Sequence, residues 1–460
     1  MSVDETTLCN LIRYGALWKR VFLLLILGFT LNLVVLIVKN LLGHEVSKGG
    51  QFFGLPFAKT SFMTNVDKAA IQLLKDDDIH PTEATTVEIF EKLQAGIPLV
   101  VHWTPFFHEN HIREFIRHFP NCEFECVHTE DRQFLSQARA IIFHARHTNL
   151  SDLPPDNPNQ LRVLFTREGP NQSFFLNGQP QQLRPNYFNA TITYRTNSDV
   201  YLPYATLREL DGTESEADIW TDEQIDERIA KKSKLALIAV SHCDTWSKRE
   251  IYTRALQHHM KVTSIGRCNK NTDCLSKECL SKLEGLDQIC LTEEHFFYLS
   301  FENAVCPEYT TEKFFRMTDL IVPIVLSRAV MPSWIPRDAY IAANEFSSAK
   351  DLAYYLHQLA ADPNEYKKYF AWTKHYRRAP FEYWHPDNGC QLCAIIHRNE
   401  KREIEDFKQY FDTSVCSLGY AEMLAYAPRS IAYRQTLENE EQKLAKYMAT
   451  NEQKRKVHYD

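Results

Sequence analysis

The sequence lacks the motifs of several common enzyme classes. It contains no Gly-x-Gly-x-x-Gly, so a dinucleotide redox cofactor has no support. Its 18 histidines include no His-Glu-x-x-His, which excludes a metalloprotease of that type. Basic stripes are also missing, and a net charge of -7 argues against a nucleic-acid partner. No internal repeat or low-complexity tract interrupts the chain.

A long apolar run near the start of the chain predicts a membrane anchor. Residues 21–38 carry no charge, and as a helix they would reach about 27 Å, enough for a thin bilayer. Basic residues are in modest excess before the run, which favours a cytosolic N-terminus. The run is long for a cleaved signal peptide, and no small-x-small site follows it. We therefore predict a cytosolic tail (1–20), a transmembrane signal-anchor helix (21–42) and a stem (43–84).

Beyond the stem, apolar strand-like runs alternate with amphipathic segments, as in α/β proteins. The predicted strands are Pro98–Trp103, Ala140–Ala145, Arg162–Thr166, Lys234–Ser241, Lys261–Gly266, Phe296–Phe301 and Ile321–Leu326. The predicted helices include His111–His118, Arg249–Met260, Thr311–Asp319, Lys350–Ala361, Glu365–Tyr376 and Thr436–Lys456. A polar segment near 208–232 separates two blocks. The sequence therefore predicts two Rossmann-like domains facing a cleft, at 85–225 and 226–400, and a helical extension at 401–460.

The cysteines suit an oxidising compartment. Twelve are present, and all but Cys9 follow the apolar run, so this topology places eleven in the secretory lumen, where we expect disulfides. Eleven cannot all pair within the chain, so one is free or bridges to a partner. Zinc is the alternative, but no second Cys-x-x-Cys has the usual spacing. The disulfide candidates are Cys268, Cys274, Cys279, Cys290, Cys306, Cys390 and Cys393.

Three sequons point to the same compartment. Asn149, Asn171 and Asn189 each stand two residues before Ser or Thr, and we predict that they accept N-linked glycans. The Golgi is the compartment that accounts for anchor, cysteines and sequons together.

The stretch from Phe296 to Lys313 carries the strongest indication of a ligand site. Its apolar strand ends at Glu302-Asn303, and a helix opens shortly after Tyr309, with either Thr310 or Thr311 as the natural N-cap. An acid, an amide, a phenol and a lysine thus gather where a strand ends and a helix begins. Open α/β sheets bind anionic ligands at such places, because free amides and the helix dipole favour negative charge there.

This stretch resembles the signature of the α1,3-fucosyltransferase family, and three other stretches agree with it in the same order. Together they span roughly residues 98–395, and four motifs in order are far more specific than one. The matching stretches are Phe301-Glu302-Asn303 with Tyr309-x-Thr311-Glu312-Lys313, Glu168-Gly169-Pro170, Phe188 to Arg195, and Ala239 to Cys243 with Arg249, Tyr252 and Gly266-Arg267-Cys268.

The resemblance implies a GT-B-like, single-pass type II Golgi membrane enzyme. It implies transfer of L-fucose from GDP-β-L-fucose, with inversion, to the 3-hydroxyl of N-acetylglucosamine in a glycoprotein or oligosaccharide acceptor. The first domain would hold the acceptor and the second GDP-fucose. No tightly bound cofactor is implied, and a divalent cation is not required, which leaves room for stimulation by one.

The resemblance also assigns roles to residues. Glu168, after a buried strand and before a rigid turn, would be the general base that accepts the acceptor's proton. Arg249 and Lys313 would contact the diphosphate, for which the planar fork of arginine is suited. The remaining donor-site candidates are Asn303 and Tyr309 lining the pocket, Glu312 on the ribose, Ser241 at a strand end, and Glu302. Glu302 is the second candidate for the base, but its place in the donor motif favours an organising role.

No metal site is predicted, and two alternatives to an active fucosyltransferase stay open. Asp76-Asp77-Asp78 lies outside a strand-then-loop context, so a solvated acidic turn is favoured over a cation site. The chain could use a different sugar donor, or be a catalytically weak or inactive paralogue that binds glycans. The positions that depart from the family pattern are Gly169, Leu164, His242, Met317-Thr318 and Ser327.

Overall fold

The structure, a computed structural model, describes residues 86–106, 122–173, 183–268, 289–378, 387–400, 404 and 412–459. The predicted tail, anchor and stem therefore lie outside the described residues, as do Cys274, Cys279 and the predicted helix at His111–His118. Among the described residues, no helix has the length and apolar character needed to cross a bilayer.

Two parallel sheets form the framework of the described chain. The first has the order β2-β1-β3-β4-β5-β6 and the second β11-β10-β9-β7-β8. The first comprises β1 (Leu99–His102), β2 (Val127–Thr129), β3 (Ala138–His144), β4 (Leu161–Thr166), β5 (Ala190–Thr193) and β6 (Val200–Tyr201). The second comprises β7 (Lys234–Ala239), β8 (Val262–Ile265), β9 (His295–Leu299), β10 (Val322–Val325) and β11 (Ile341–Ala342). The predicted α/β class with two parallel sheets is confirmed.

In both sheets the chain enters at an inner strand. It adds strands on one side of that strand and then on the other, so the strand order reverses once. The order reverses between β1 and β3 in the first sheet and between β7 and β9 in the second. Doubly wound sheets bind ligands outside the carboxyl ends of the strands at such a reversal. Ser241 follows β7 and Glu302 follows β9, so the fold places predicted donor-site residues on both sides of the second reversal.

Ten α-helices lie in the described ranges, with several short 3₁₀ turns between them. They are α1 (Thr86–Gln94), α2 (Asp222–Ala230), α3 (Arg249–Gln257), α4 (Ile289–Glu294), α5 (Glu312–Phe315), α6 (Ala349–Ala361), α7 (Pro363–Lys367), α8 (Asp387–His397), α9 (Tyr420–Tyr426) and α10 (Ile431–Tyr459).

Two helix predictions were too long. The predicted helix Thr311–Asp319 is α5 followed by a 3₁₀ turn at Arg316–Asp319, which ends because Leu320 is left-handed at φ 57°. The predicted helix Glu365–Tyr376 is α7 followed by a 3₁₀ helix to Lys374. In that segment Phe370, Trp372 and Thr373 are all buried. Phe370 and Thr373 are three residues apart, which is the repeat of a 3₁₀ helix, so the tighter turn places these two side chains on one face.

The two sheets have separate cores. In the first, Val100, Ile142 and Phe165 on one face pack with Leu392 and Ile395 of α8. Helix α8 therefore packs on the first sheet, although the sequence predicted its residues in the domain at 226–400. The second sheet forms the largest core with α3, α6 and α9, which includes Trp372 and Tyr420.

Four disulfides join eight cysteines of the described chain, and none of the cysteines whose side chains are described is free. Cys390 and Cys393 bond to Cys122 and Cys126, which fastens α8 to the chain near β2. The other bonds are Cys243–Cys268 and Cys306–Cys416. Four of the predicted candidates are thus bonded, but the partners Cys122, Cys126, Cys243 and Cys416 were not among them. Separations of up to 268 residues explain why spacing alone could not supply the pairing.

Candidate active site

The carboxyl edge of the second sheet gathers two cations and two carboxylates. Glu302 accepts hydrogen bonds from the Thr311 amide at 2.9 Å and the Thr311 hydroxyl at 2.7 Å. Thr311 is the N-cap residue of α5, as predicted, but its own side chain makes no capping bond. Glu302 thus supplies the oxygen that the first turn needs. This is the geometry of a residue that organises the site.

Lys313 lies between two carboxylates. Its ammonium is 3.3 Å from Glu302 Oε2 and 2.9 Å from Glu312 Oε1. Burial opposes the charge on Lys313, but these two carboxylates outweigh it and raise its pKa. Burial opposes the charge on Glu312 as well, but Lys313 lowers the pKa of that carboxyl. Both groups therefore stay charged over a wide range of pH.

Arg249 opens α3 and is only 4% exposed. It donates to the backbone oxygen of Phe301 at 2.7 Å and to that of His242 at 3.2 Å. Arg249 is therefore not part of a surface ion pair on an exposed helix face. Burial lowers the pKa of Arg249, and its Nε is buried without a hydrogen-bond partner in the described part of the chain.

Asn303 carries a second buried polar atom without a partner. Its Oδ1 makes no hydrogen bond to the described residues, while its backbone oxygen accepts from the Ser247 amide at 2.9 Å. Buried polar groups are paired in folded proteins unless a ligand or water completes them. The orphaned atoms of Arg249 and Asn303 are thus places where a polar ligand would be held.

The ends of β7 and β8 approach closely beside this edge. Gly266 has φ +100°, and a Cβ there would lie 2.1 Å from the Val240 carbonyl oxygen. Only glycine fits such an approach.

A cavity of about 310 Å³ lies beside this edge and is lined by His242, Arg249 and Thr253 among others. Ser241, which precedes His242 in the chain, is partly exposed. A larger groove of about 790 Å³ lies between Arg328, Tyr340, Tyr369 and Lys374, away from these residues, so we place the site at the smaller cavity.

Glu168 reaches the same region from the first sheet. Its Oε2 accepts a hydrogen bond from the Tyr309 hydroxyl at 3.0 Å. Burial raises the pKa of Glu168, while the Tyr309 hydroxyl and the charge of Lys313 oppose that rise. The predicted base therefore lies near Tyr309 and Lys313, two of the predicted donor-site residues.

The three predicted glycosylation sites differ in exposure. Asn149 is half-buried and its Oδ1 accepts from the Ser151 amide at 2.9 Å. Asn189 accepts from the Arg162 amide at 2.8 Å. Asn171 is 2% exposed, so a glycan there would have to be attached before the chain folds. Glycosylation at the three sites stays a prediction.

One cross-domain contact was missed. Glu308 accepts from the Thr196 amide at 2.7 Å and the Thr196 hydroxyl at 2.6 Å. Glu308 adjoins Tyr309 in the motif, which was the available signal. Nothing in the sequence connects it to a threonine 112 residues away.

In the described residues, no group of three or more His, Cys, Asp or Glu side chains is arranged to hold a metal ion.

Comparison with known proteins assigns the family. The family model "Fucosyltransferase, N-terminal" matches residues 96–205, and "Glycosyltransferase family 10 (fucosyltransferase) C-term" matches residues 229–410. Alpha-(1,3)-fucosyltransferase C of Drosophila melanogaster is 30% identical over 65% of this chain and 73% of that protein. The chain belongs to the fucosyltransferase family. Membership of the α1,3-fucosyltransferases, predicted from the motifs, is thereby confirmed.

Other members of the fucosyltransferase family match at a similar level. The enzyme 4-galactosyl-N-acetylglucosaminide 3-alpha-L-fucosyltransferase FUT6 of Gorilla gorilla gorilla is 32% identical, over 73% of this chain and 89% of that protein. A crystal structure of an alpha1,3-fucosyltransferase with GDP-fucose matches with 15% identity and a TM-score of 0.38, over 67% of this chain and 92% of that one. That TM-score is too low to support a detailed comparison, so the family assignment depends on the sequence matches.

Proposed function

We propose that the chain is an inverting α1,3-fucosyltransferase that moves L-fucose from GDP-β-L-fucose to the 3-hydroxyl of N-acetylglucosamine in glycoprotein glycans. The observation that carries the proposal is the hydrogen bond between Tyr309 and Glu168. It joins the carboxylate of the first sheet to the cationic edge of the second. The names of the related enzymes agree with the donor sugar and the linkage.

The reaction needs a base on one side of the sugar and charge stabilisation on the other. Glu168 would take the proton of the acceptor hydroxyl as its oxygen attacks the anomeric carbon of fucose. The bond from that carbon to the diphosphate oxygen breaks, and the electron pair leaves with GDP. Arg249 and Lys313 would stabilise the developing negative charge, because fixed cations at a half-buried site need no reorganisation during the reaction.

The remaining candidates fit supporting roles in the donor site. Asn303 and Ser241 lie on the two sides of the β7–β9 reversal and would hydrogen-bond the nucleotide sugar. Glu312, half-buried and ionised, would hold the ribose hydroxyls, while Glu302 fixes the start of α5. We propose a GT-B-like arrangement in which domains at 85–225 and 226–400 hold acceptor and donor, with 401–460 as an extension.

Two departures from the family pattern do not disturb this site. A Cβ at Gly169 would meet its nearest neighbour, Asn171 Oδ1, at 3.4 Å, so glycine or serine can occupy the position. The Ser327 hydroxyl caps a 3₁₀ turn and donates to Glu441. Neither departure removes a charged candidate, which favours an active enzyme over an inactive paralogue.

We further propose that the protein is a single-pass type II Golgi membrane protein with this site in the lumen. The apolar run at 21–38 and the disulfides support this location, because structural disulfides persist in oxidising compartments. Its partners would be the Golgi membrane, GDP-fucose and a glycan acceptor.

The test is to incubate the full-length chain with GDP-fucose and a glycan array, and to map the linkage formed. We expect an α1,3-linked fucose on N-acetylglucosamine, and no transfer from other nucleotide sugars. Binding of GDP-fucose without transfer to any acceptor would instead identify a glycan-binding paralogue.

A further inference from the structure

The loop at 304–310, between β9 and α5, makes polar contacts with the first sheet's side of the site at two successive residues. We call it the contact loop. Its middle is held by the Cys306–Cys416 disulfide, and its last residues face the first domain. Glu308 bonds Thr196, and Tyr309 bonds Glu168.

Glu308 has an unusual backbone and a fully used side chain. Its φ is +62°, a left-handed conformation that non-glycine residues adopt at an energetic cost. The residue is only 6% exposed, and its two carboxylate oxygens accept from the amide and hydroxyl of Thr196 at 2.7 and 2.6 Å. The strained backbone of Glu308 is thus kept in place by two hydrogen bonds from Thr196, on the first sheet's side of the site.

Tyr309, the next residue, is enclosed by first-domain groups. It is 3% exposed, its ring lies 5.2 Å from that of Tyr194, and Gly169 packs against it. Burial raises the pKa of Tyr309 well above its ordinary value, so the phenol stays protonated. Its hydroxyl is therefore a permanent donor to Glu168 Oε2, while Oε1 accepts no hydrogen bond from the described residues.

We propose that Glu308 is a positioning residue for the reaction: by binding Thr196 it fixes the contact loop, so that Tyr309 holds one oxygen of Glu168 and leaves the other for the acceptor hydroxyl. The inference rests on the proposed function only in naming the acceptor hydroxyl. The connection Thr196–Glu308–Tyr309–Glu168 stands on geometry alone.

This series of contacts predicts how the pKa of Glu168 changes when one of the contacts is removed. A hydrogen bond donated to a carboxylate favours its ionised form and so lowers its pKa. Loss of the Tyr309 hydroxyl, with the ring retained, leaves the burial of Glu168 in place, so the pKa of Glu168 rises. The other ionisable groups that act on Glu168 are Arg146, Tyr194, Tyr204, Glu312 and Lys313.

The experiment labels Glu168 in the full-length chain. A water-soluble carbodiimide with a small amine modifies protonated carboxyl groups, and peptide mass spectrometry follows Glu168 as a function of pH. We expect Tyr309→Phe to move the pH of half-maximal labelling upwards by about one unit. Glu308→Gln and Thr196→Val should move it in the same direction by about half as much. The matched variant Thr196→Ser keeps the hydroxyl and should leave it unchanged.

A double variant separates positioning from simple loss of stability. If Glu308 acts through Tyr309, Glu308→Gln should add no shift to Tyr309→Phe, because both remove the same interaction. A purely structural role would lower the thermal midpoint without moving the labelling curve. An unchanged curve in Tyr309→Phe, or equal shifts from Thr196→Val and Thr196→Ser, would overturn the proposal. Labelling needs no turnover, so a wild-type chain that fails to transfer fucose would contradict the proposed function and leave this test valid.

Discussion

The two sides of the candidate site handle charge in different ways. On the first domain a single carboxylate, Glu168, meets a neutral phenol, and burial raises its pKa. On the second, Lys313 balances Glu302 and Glu312 at 3.3 and 2.9 Å, with Arg249 buried beside them. One side is thus suited to gain and lose a proton, and the other to keep its charge. This division is what proton transfer opposite a diphosphate leaving group requires.

The largest effect should come from the first side. Glu168→Gln removes the proton acceptor but preserves shape, so we expect turnover to fall by about 10²-fold or more while donor affinity is retained. Initial rates of GDP release and calorimetric binding of GDP-fucose measure the two quantities. Glu223→Gln, on the exposed first turn of α2, is the matched control. Equal losses of turnover and affinity would remove the distinction between the two sides.

Changes on the second side should reverse this pattern. Lys313→Ala leaves Glu302 and Glu312 without their cation, and Arg249→Ala removes a buried guanidinium, so both should weaken GDP binding by about 10- to 30-fold. Isothermal calorimetry with GDP alone gives this affinity. Lys313→Arg keeps the charge and should recover most of it. GDP affinity that survives both alanine variants would place the diphosphate elsewhere.

The pH dependence should differ between binding and turnover. Because the pKa of Glu168 is raised from 4.5, turnover should fall about tenfold per pH unit below that raised pKa, as the base becomes protonated. GDP affinity should change little there, since the pKa of Glu312 is lowered and that of Lys313 raised. Parallel pH profiles of turnover and GDP affinity would show that one group controls both.

The smallest effect concerns stability on the second side. Ser327 donates to Glu441 of α10 at 2.7 Å, and burial raises the pKa of Glu441. Ser327→Ala withdraws a donor from a half-buried carboxylate and should cost about 1 kcal/mol, or roughly 2–4 °C in thermal midpoint. In a Glu441→Gln background the loss should be smaller, because the carboxylate is gone. If Ser327→Ala lowers the stability equally in the wild-type and Glu441→Gln backgrounds, Ser327 acts only as the cap of its 3₁₀ turn.

Glu168 also links function to stability. Its folded pKa is raised, so its favourable contribution to stability is present at low pH and is lost as pH rises through that folded pKa. The ionised carboxylate therefore destabilises the protein at neutral pH.

The sequence predicted seven of the strands and missed β2, β5, β6 and β11, which have two to four residues each. β3, β4, β7 and β9 each contain at least three consecutive apolar residues, which is the pattern of a covered parallel sheet. β6 and β11 have two residues each, too few to show any period. The sequence predicted the residues of α8 in the domain at 226–400, whereas the helix packs on the first sheet. An apolar helix face does not indicate which of two sheets it will cover.

The candidate site was predictable where its residues are close in sequence. Glu302, Tyr309, Glu312 and Lys313 fall within one motif, so their order carried the signal. Thr196 lies in another part of the chain, and its contact with Glu308 depends on how the domains pack. Burial of Asn171 was hidden for the same reason, since a sequon records local sequence and not its surroundings.

The most direct test of the account is a crystal structure of the chain with GDP and an N-acetylglucosamine-containing acceptor. We predict that the diphosphate contacts Arg249 and Lys313, and that the acceptor 3-hydroxyl lies within hydrogen-bond distance of Glu168 Oε1. A diphosphate bound in the groove near Lys374, or an acceptor hydroxyl out of reach of Glu168, would contradict it.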